Sequence, residues 1–576
     1  MTVKTSYYRI QGDVPLLSST IYEHFQQISK HFPDQEAVVA LPQHKRLSYT
    51  DFAREIDLLA RGLVAMGAGK GNHIGIWSTN NLEWLLVQMA CARIGAVLIN
   101  INPAYRPGEL RYALQLAEVE FLFVIPSFRS SNYVTMLLEL IPELSDSMAG
   151  QALNNKDFPA LKKVVLYDPV EPMATRSPAP GFTLWQQVLA RADTIQEQVL
   201  DALTADLDPY EPANIQFTSG TTGTPKAVVL SHRNILNNAY FSALAMHFDH
   251  RDRLCVSVPF YHCFGTVLAN LLCFSCGACL VIPCEHFDPL LILQAIEKEQ
   301  CTALHGVPTM FIAELDHPQF RQVDTGSLRT GIMAGASCPP QLMERVIQDM
   351  HCREILIGYG ETEASPLTHL TSRDDSFEHR IATVGRNLPH QEVKIVDVAE
   401  GGEVAIGQIG EICFRGYHIM QGYYRNREAT AQTIDPDGWL HSGDLGTMDE
   451  NGYVQITGRL KNMIIRGGEN IYPREIEECL FSHPKVADAA VFGIPDDYWG
   501  EEIAAWIKLY PEEHCSEQEI RDFCKTRLAH FKIPSHIKFV SAFPMTVTGK
   551  VQKFKMKEQT IEELSLARLE SCSKSN

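Results

Sequence analysis

The feature that most narrows the fold is an alternation of short β-branched runs with longer helical patterns. "HIGIWS" precedes "LEWLLVQMACARIG", and "AVLIN" and "FLFVI" bracket "PGELRYALQLAE". Two strands that run the same way cannot be joined by a tight turn, so a helix must carry the chain back between them. Runs this continuously apolar also imply burial on both faces. The expected class is therefore α/β, with helices layered over largely parallel sheets. At 576 residues the chain exceeds what one core accommodates, and it is expected to divide into domains.

The texture changes after Arg459. "YVQITGRLKNMIIRGG" reads as a β-hairpin, and "YPREIEECLFSHP" as a helix with Pro473 in its first turn and Ile476, Cys479 and Leu480 on one face. "ADAAVFGI" and "EIAAWIKL" read as strands, and Ser516 with Glu519 as a capping box that opens "EQEIRDFCKTRLAH". Together these pieces make a small α+β unit. The expected boundary lies at Lys461, with a large domain over residues 1–460 and a small one over 461–576.

Composition removes several classes of function. A formal charge of −19 argues against a nucleic-acid partner, which needs a basic face, without excluding a local anion site. Fifteen cysteines, an odd number scattered in apolar context, fit free thiols in a reducing cytoplasm. Cys273, Cys276, Cys279 and Cys284 miss the spacing of an iron–sulfur run, since Pro283 precedes the last one, and they read as core. From Leu254 to Cys284 there is no Asp, Glu, Lys or Arg. Pro259, His262, Gly265, Asn270 and Gly277 break that stretch into a strand, a turn, a buried helix and a second strand. Each is shorter than the roughly 20 apolar residues of a membrane span. The N-terminal residues lack the pattern of a secretory leader and "SCSKSN" matches no targeting signal, so a cytoplasmic location is expected.

"IQFTSGTTGTPKAVVLSH", Ile215 to His232, is the first stretch that looks chemical. A P-loop needs its lysine directly after glycine and a helix there, but Lys226 follows Pro225 and "AVVL" is too β-branched to open one. The loop reads instead as the tip of a β-hairpin, with Ser231 capping a later helix. Its glycines allow close backbone approach to an anion, its hydroxyls and N–H groups donate, and Lys226 adds a charge. A plain Gly/Ser/Thr surface turn would have the same composition.

Four further segments stand out: "GYGETEASP" with Tyr359, Thr362 and Glu363; "GWLHSGDLG" with Asp444; "TGRLKNMIIRGGENIYPREIE" with Arg459, Lys461, Gly467 and Gly468; and "PMTVTGKVQK" with Lys550. In this order, after the phosphate loop, they resemble the motifs of the adenylate-forming superfamily, which comprises acyl-CoA synthetases, adenylation domains and beetle luciferases. The resemblance runs from "LSYTDFAREIDLLARGL" to "TGKVQK". Within the family, "INPAYRPGELRYAL", "VPFYHCFG" and "HGVPTMF" look most like fatty-acyl-CoA synthetases of the medium- to long-chain kind. The resemblance implies a large N-terminal domain of βα layers, a small mobile α+β C-terminal domain, and ATP, Mg2+ and coenzyme A as the ligands. The expected partners are thus small molecules, and a homodimer is a possible assembly.

The family's roles transfer residue by residue. Thr218, Ser219, Gly220, Thr221, Thr222, Gly223, Thr224, Pro225 and Lys226 would hold the departing phosphates, with Gly335, Ala336, Gly360 and Glu361 also at the nucleotide. Tyr359 would stack on adenine, Thr362 touch the α-phosphate and Glu363 ligate Mg2+. Asp444 and Arg459 would bind the ribose. Lys550 would bridge the acyl carboxylate and the α-phosphate, Lys461 would be the hinge, and Gly467 and Gly468 would line the path of the pantetheine arm. Ala227, Ile357 and Met545 depart from residues frequent in the family, and none of these departures removes a catalytic group.

The acyl pocket is expected around Tyr261, Phe264, Gly265 and Val307, with His262 orienting the carboxylate. "FYHCFG" offers neither a carboxylate for an amino acid's ammonium nor a cation for a second carboxylate. A monocarboxylic acid with an apolar tail suits such a wall. No carrier domain follows Lys550, which favours soluble CoA. The alternatives are a stand-alone adenylation enzyme that loads a carrier protein, or a ligase for aryl or other apolar acids.

Overall fold

The computed structural model describes residues 4–146, 153–170, 179–218, 225–336, 338–467, 469–496, 498–545 and 551–574. The chain divides into two compact units. The larger is Tyr8–Val393 with Phe414–Leu440; the smaller is Met1–Tyr7, Lys394–Cys413 and His441–Asn576. The smaller unit thus takes in segments that precede Lys461.

In the larger unit the described residues form two broad sheets. The first runs Phe182–Leu184, Lys163–Leu166, Phe121–Val124, His73–Trp77, Val97–Ile101, Pro212–Thr218, Lys226–Ser231 and Gly422–Tyr423. Its first six strands pair in parallel and the last two antiparallel. The second places Glu354–Gly360, Thr330–Ala334, Ala303–His305, Arg253–Val256, Cys279–Ile282 and Glu36–Ala40 side by side and parallel, with antiparallel strands at both edges. This is the α/β class that the strand–helix alternation predicts.

The helix Leu82–Ile94 shows why the sequence folds this way. Nearly every residue in it is buried, Trp84 and Leu85 completely, so it lies inside the helical layer instead of presenting one face. Asn81 caps it by accepting from the Trp84 N–H at 2.9 Å. Its one buried cation, Arg93, is matched by Asp201 at 2.7 Å and Asp57 at 3.2 Å, which offsets the cost of burying a charge.

Leu254 to Cys284 is the strand Arg253–Val256, a run of helical turns over Cys263–Cys276 and the strand Cys279–Ile282. Cys273 and Cys279 are fully buried and Cys284 nearly so, all as free thiols. Burial pushes the Cys284 thiol up to about 12, which makes these core residues. Among the described residues no helix is long and apolar enough to cross a membrane.

In the smaller unit, Val486–Asp496 and Gly500–Leu509 pair antiparallel, with His536–Phe539 parallel to the latter. The helices Pro473–Phe481 and Glu517–Lys525 bury Ile476, Leu480 and Ile520 against this sheet. Two local expectations are corrected here. Val454–Arg459 and Ile464–Arg466 are not a hairpin with each other: the first pairs with Leu440–Met448 and the second with Glu469–Ile471. Ser516 does cap its helix through the Glu519 N–H, and the Glu519 carboxylate accepts from the Ser516 backbone as well as from Lys485 at 2.8 Å, but the helix ends at Lys525, before the expected His530.

Candidate active site

The phosphate loop joins two strands, as its β-branched flanks predict. Pro212–Thr218 and Lys226–Ser231 pair antiparallel with Thr218 opposite Lys226, and Ser231 caps the helix His232–Ala245. Both ends of the loop are thereby fixed to the first sheet. Ser219, Gly220, Thr221, Thr222, Gly223 and Thr224, like Gly468 and Lys550, lie outside the described residues.

Thr362 and Glu363 form one turn of 3-10 helix directly after the strand Glu354–Gly360, whose end carries Tyr359 and Gly360. The turn leads to the antiparallel strand Leu367–Leu370, and Tyr359 lies opposite His369 in the register. The Glu363 carboxylate accepts from the Tyr423 hydroxyl at 2.9 Å and lies 3.5 Å from the Thr218 hydroxyl. The structure therefore brings the loop's first residue and the expected metal ligand together across two sheets. These oxygens are hard donors, the kind that fits Mg2+. The Lys226 ammonium lies 4.4 Å from the centre of the Tyr423 ring, within cation–π range.

Thr362 is buried, and its hydroxyl is 3.5 Å from the Cys263 thiol. His262 begins the turn that presents Cys263, and its Nδ1 accepts from the Phe264 N–H at 3.2 Å. The "YHCFG" segment is thus attached to the Thr362 turn. The Phe264 ring stacks on the His305 imidazole with centroids 5.6 Å apart. His305 donates from Nε2 to the Leu268 carbonyl and accepts at Nδ1 from the Ile332 N–H. Burial pushes its pKa down to about 4, so that wall is uncharged at neutral pH. Gly335 adopts φ +85, and a Cβ there would lie 3.2 Å from Val307, so Gly335 and Val307 are neighbours. Tyr261 is half-buried, its carbonyl accepting from Asn100 at 3.2 Å, and Gly265 and Ala336 lie on the same unit. Glu361 is the residue entering the Thr362 turn.

The smaller unit holds the other expected residues. Asp444 and Arg459 sit opposite each other in the pairing of Leu440–Met448 with Val454–Arg459, joined by a 2.7 Å ion pair. Asp444 is only 3% exposed, and the guanidinium offsets the desolvation of its carboxylate. The strand position is held by Glu411, which accepts from the Gly443 N–H at 3.0 Å and meets His441 Nδ1 at 2.7 Å. Lys461 follows on a 3-10 turn. Gly467 has φ +58, and a Cβ would meet the Trp499 ring at 2.8 Å. The glycine is therefore required by its own backbone and by Trp499.

Sequence reasoning missed Tyr423 and Glu411. Tyr423 touches Glu363, which motif order had identified, and Glu411 holds the residue before Asp444, but Tyr423 lies 60 positions from Glu363 and Glu411 lies 32 from Gly443. No local spacing links either pair.

Known proteins match this chain along its length. The model of the AMP-binding enzyme family matches residues 25–424, and that of the AMP-binding enzyme C-terminal domain matches residues 475–550. The chain is 47% identical to "Putative acyl-CoA synthetase YngI" of Bacillus subtilis (strain 168), over 96% of this chain and 99% of that protein. It is 39% identical to "Medium-chain acyl-CoA ligase ACSF2, mitochondrial" of Danio rerio, over 98% of this chain and 92% of that protein. Among solved structures, ATP-bound MatB from Rhodopseudomonas palustris superposes with a TM-score of 0.81 at 26% identity, covering 94% of this chain and 99% of that one. With a family model spanning most of its residues and near-full-length acyl-CoA synthetase relatives, the chain belongs to the AMP-binding enzyme family and is an AMP-forming acid–thiol ligase.

Proposed function

We propose that the enzyme activates a medium- to long-chain fatty acid as acyl-AMP and transfers the acyl group to coenzyme A. The observation that carries the substrate class is the uncharged wall of the larger unit: no Asp, Glu, Lys or Arg occurs from Leu254 to Cys284, and Phe264 stacks on an imidazole kept neutral by burial. An ammonium or second carboxylate placed there would lose its hydration without a partner.

In the first half reaction the acyl carboxylate oxygen attacks the α-phosphorus of ATP, and the bond to pyrophosphate breaks. Charge develops on phosphoryl oxygens, so donors and cations fixed in advance supply the stabilisation. Lys226 and the Thr218 hydroxyl would hold the departing phosphates, and Thr362 the α-phosphate. Glu363 would ligate Mg2+, which when bound neutralises phosphate charge. Asp444, ion-paired with Arg459, would accept from the ribose hydroxyls, and Lys550 would bring carboxylate and phosphorus together. In the second half the thiolate of CoA attacks the acyl carbonyl and AMP leaves with the electron pair of the broken bond. Lys461, on the turn after Arg459, is the proposed hinge that exchanges Lys550 for the Gly467 segment between the halves.

The test is pyrophosphate release across C4 to C18 acids, with and without CoA. Each buried methylene contributes roughly 0.8 kcal/mol, so kcat/KM should climb from butyrate and then level or fall as the pocket fills. Free amino acids should lie at least about a hundredfold lower. High activity on an amino acid, or stimulation by a carrier protein and not by CoA, would overturn the proposal.

A further inference from the structure

Tyr423 stands at a junction that the family assignment leaves without a role. It is 7% exposed and lies on the short strand Gly422–Tyr423 at the edge of the first sheet, opposite Val228 of the lysine-bearing strand. Backbone bonds fix it from both sides. The Tyr424 N–H donates to the Ala227 carbonyl at 2.7 Å, and the Met420 N–H donates to the Glu363 carbonyl at 2.9 Å. Its side chain reaches both groups: the hydroxyl donates to Glu363 Oε1 at 2.9 Å and also lies within reach of the Thr433 side chain, and the ring face carries the Lys226 ammonium at 4.4 Å.

We infer that Tyr423 is a positioning residue for the metal–nucleotide complex, its hydroxyl orienting the Glu363 carboxylate and its ring setting the place of Lys226. The inference rests on the proposed roles of Glu363 and Lys226. The chemistry follows from the geometry. A carboxylate on a one-turn helix can rotate, and a metal ion needs one of its oxygens aimed outward. A phenol that holds Oε1 leaves Oε2 as the metal-facing oxygen and removes a rotor that binding would otherwise have to freeze. The ring offers Lys226 a weak counterpart, strong enough to define a position and weak enough to yield to a phosphate oxygen.

The two contacts separate by substitution. Tyr423→Phe keeps the ring and loses the hydroxyl; Tyr423→Leu loses both. Binding of a non-hydrolysable ATP analogue is titrated by calorimetry over a series of Mg2+ concentrations, without acid or CoA, and each variant's melting temperature is recorded. Tyr423→Phe should raise the Mg2+ concentration for half-maximal nucleotide affinity about tenfold, the loss expected for one hydrogen bond to a charged group. Its affinity at saturating Mg2+ should stay within about twofold of the parent. Tyr423→Leu should weaken nucleotide binding even at saturating Mg2+. Adding Tyr423→Phe to Glu363→Gln should change nothing further, because the oriented carboxylate is already gone. An unchanged Mg2+ requirement in Tyr423→Phe, with Glu363→Gln strongly shifted, would overturn this inference alone. An unshifted Glu363→Gln would instead overturn the metal role of Glu363. If Tyr423→Leu does not fold, Tyr423→Met, which fills similar volume without a ring face, takes its place; unaltered nucleotide affinity at saturating Mg2+ in the folded variant would refute the role of the ring.

Discussion

The larger unit should lose stability steeply on mild acidification, and its histidines account for the effect. His232, His305, His369 and His418 are each completely buried. Burial pushes the first two down to about 4 and the last two to about 3. In the unfolded chain all four titrate near 6.5. As pH falls, the unfolded chain therefore binds these protons first. The stabilisation is fully present above pH 6.5 and is lost progressively until the folded rings themselves protonate near 3 to 4. Between pH 7 and 5.5 each neutral ring costs about 1.2 kcal/mol, so four cost about 5 kcal/mol.

Buried carboxyls oppose them. Glu314 is 1% exposed, and burial holds its carboxyl well above the usual range. The folded chain keeps that proton to a higher pH than the unfolded chain does, which returns part of this loss. Glu83 and Glu285, also raised by burial, act in the same sense, so the histidine loss of about 5 kcal/mol is partly offset. Against typical stabilities of roughly 5–15 kcal/mol this is large. In a unit this long the melting midpoint should fall by roughly 1–2 °C for each kcal/mol of net loss. The sharper assay compares His418→Phe with the parent. No ring nitrogen of His418 has a hydrogen-bond partner among the described residues, so phenylalanine removes one proton from the linkage at little cost in bonding. The variant's loss between pH 7 and 5.5 should be smaller by about 1.2 kcal/mol. Identical pH profiles for the two, or a parent midpoint flat over this interval, would refute the reasoning.

Two further outcomes concern the half reactions. Lys550→Ala should lose orders of magnitude in acyl-AMP formation yet still convert supplied acyl-AMP and CoA to thioester; equal losses in the two assays would remove the lysine from the adenylation half. Lys461→Pro fixes φ and deletes an N–H, so adenylation should survive while thioester formation nearly stops, with Lys461→Ala mild. Normal overall turnover by the proline variant would place the hinge elsewhere.

What was legible in the sequence was whatever depended on neighbours along the chain. The strand–loop–strand reading of the phosphate segment and the Ser231 cap follow from a β-branched run and a short polar residue before a helix. The core cysteines follow from their apolar setting. The misread hairpin shows the limit. Val454–Arg459 and Ile464–Arg466 are both good strands, but the four residues between them carry no hairpin turn chemistry, and each found a different partner. The buried histidines were equally hidden, because an imidazole becomes costly to protonate only when tertiary packing encloses it.

The same division separates the two kinds of site residue. The groups proposed to meet substrate sit in compact motifs, since a ligand needs several of them within a few ångströms: Thr362 and Glu363 share one turn, and Asp444 faces Arg459 across one strand pair. Groups that hold those residues in place need only arrive from another strand. Tyr423 reaches Glu363 from a strand at the edge of the first sheet, while Glu363 follows the second. Glu411 reaches the Asp444 strand from the strand Gly410–Gly416. A hydroxyl or carboxylate supplied this way does not take part in bond making, so its loss changes how much metal or nucleotide is required before it changes the rate of chemistry at saturation. Such residues are found by tracing what each chemical group is hydrogen-bonded to, and they are the positions at which ligand affinity can be altered with the reaction itself left intact.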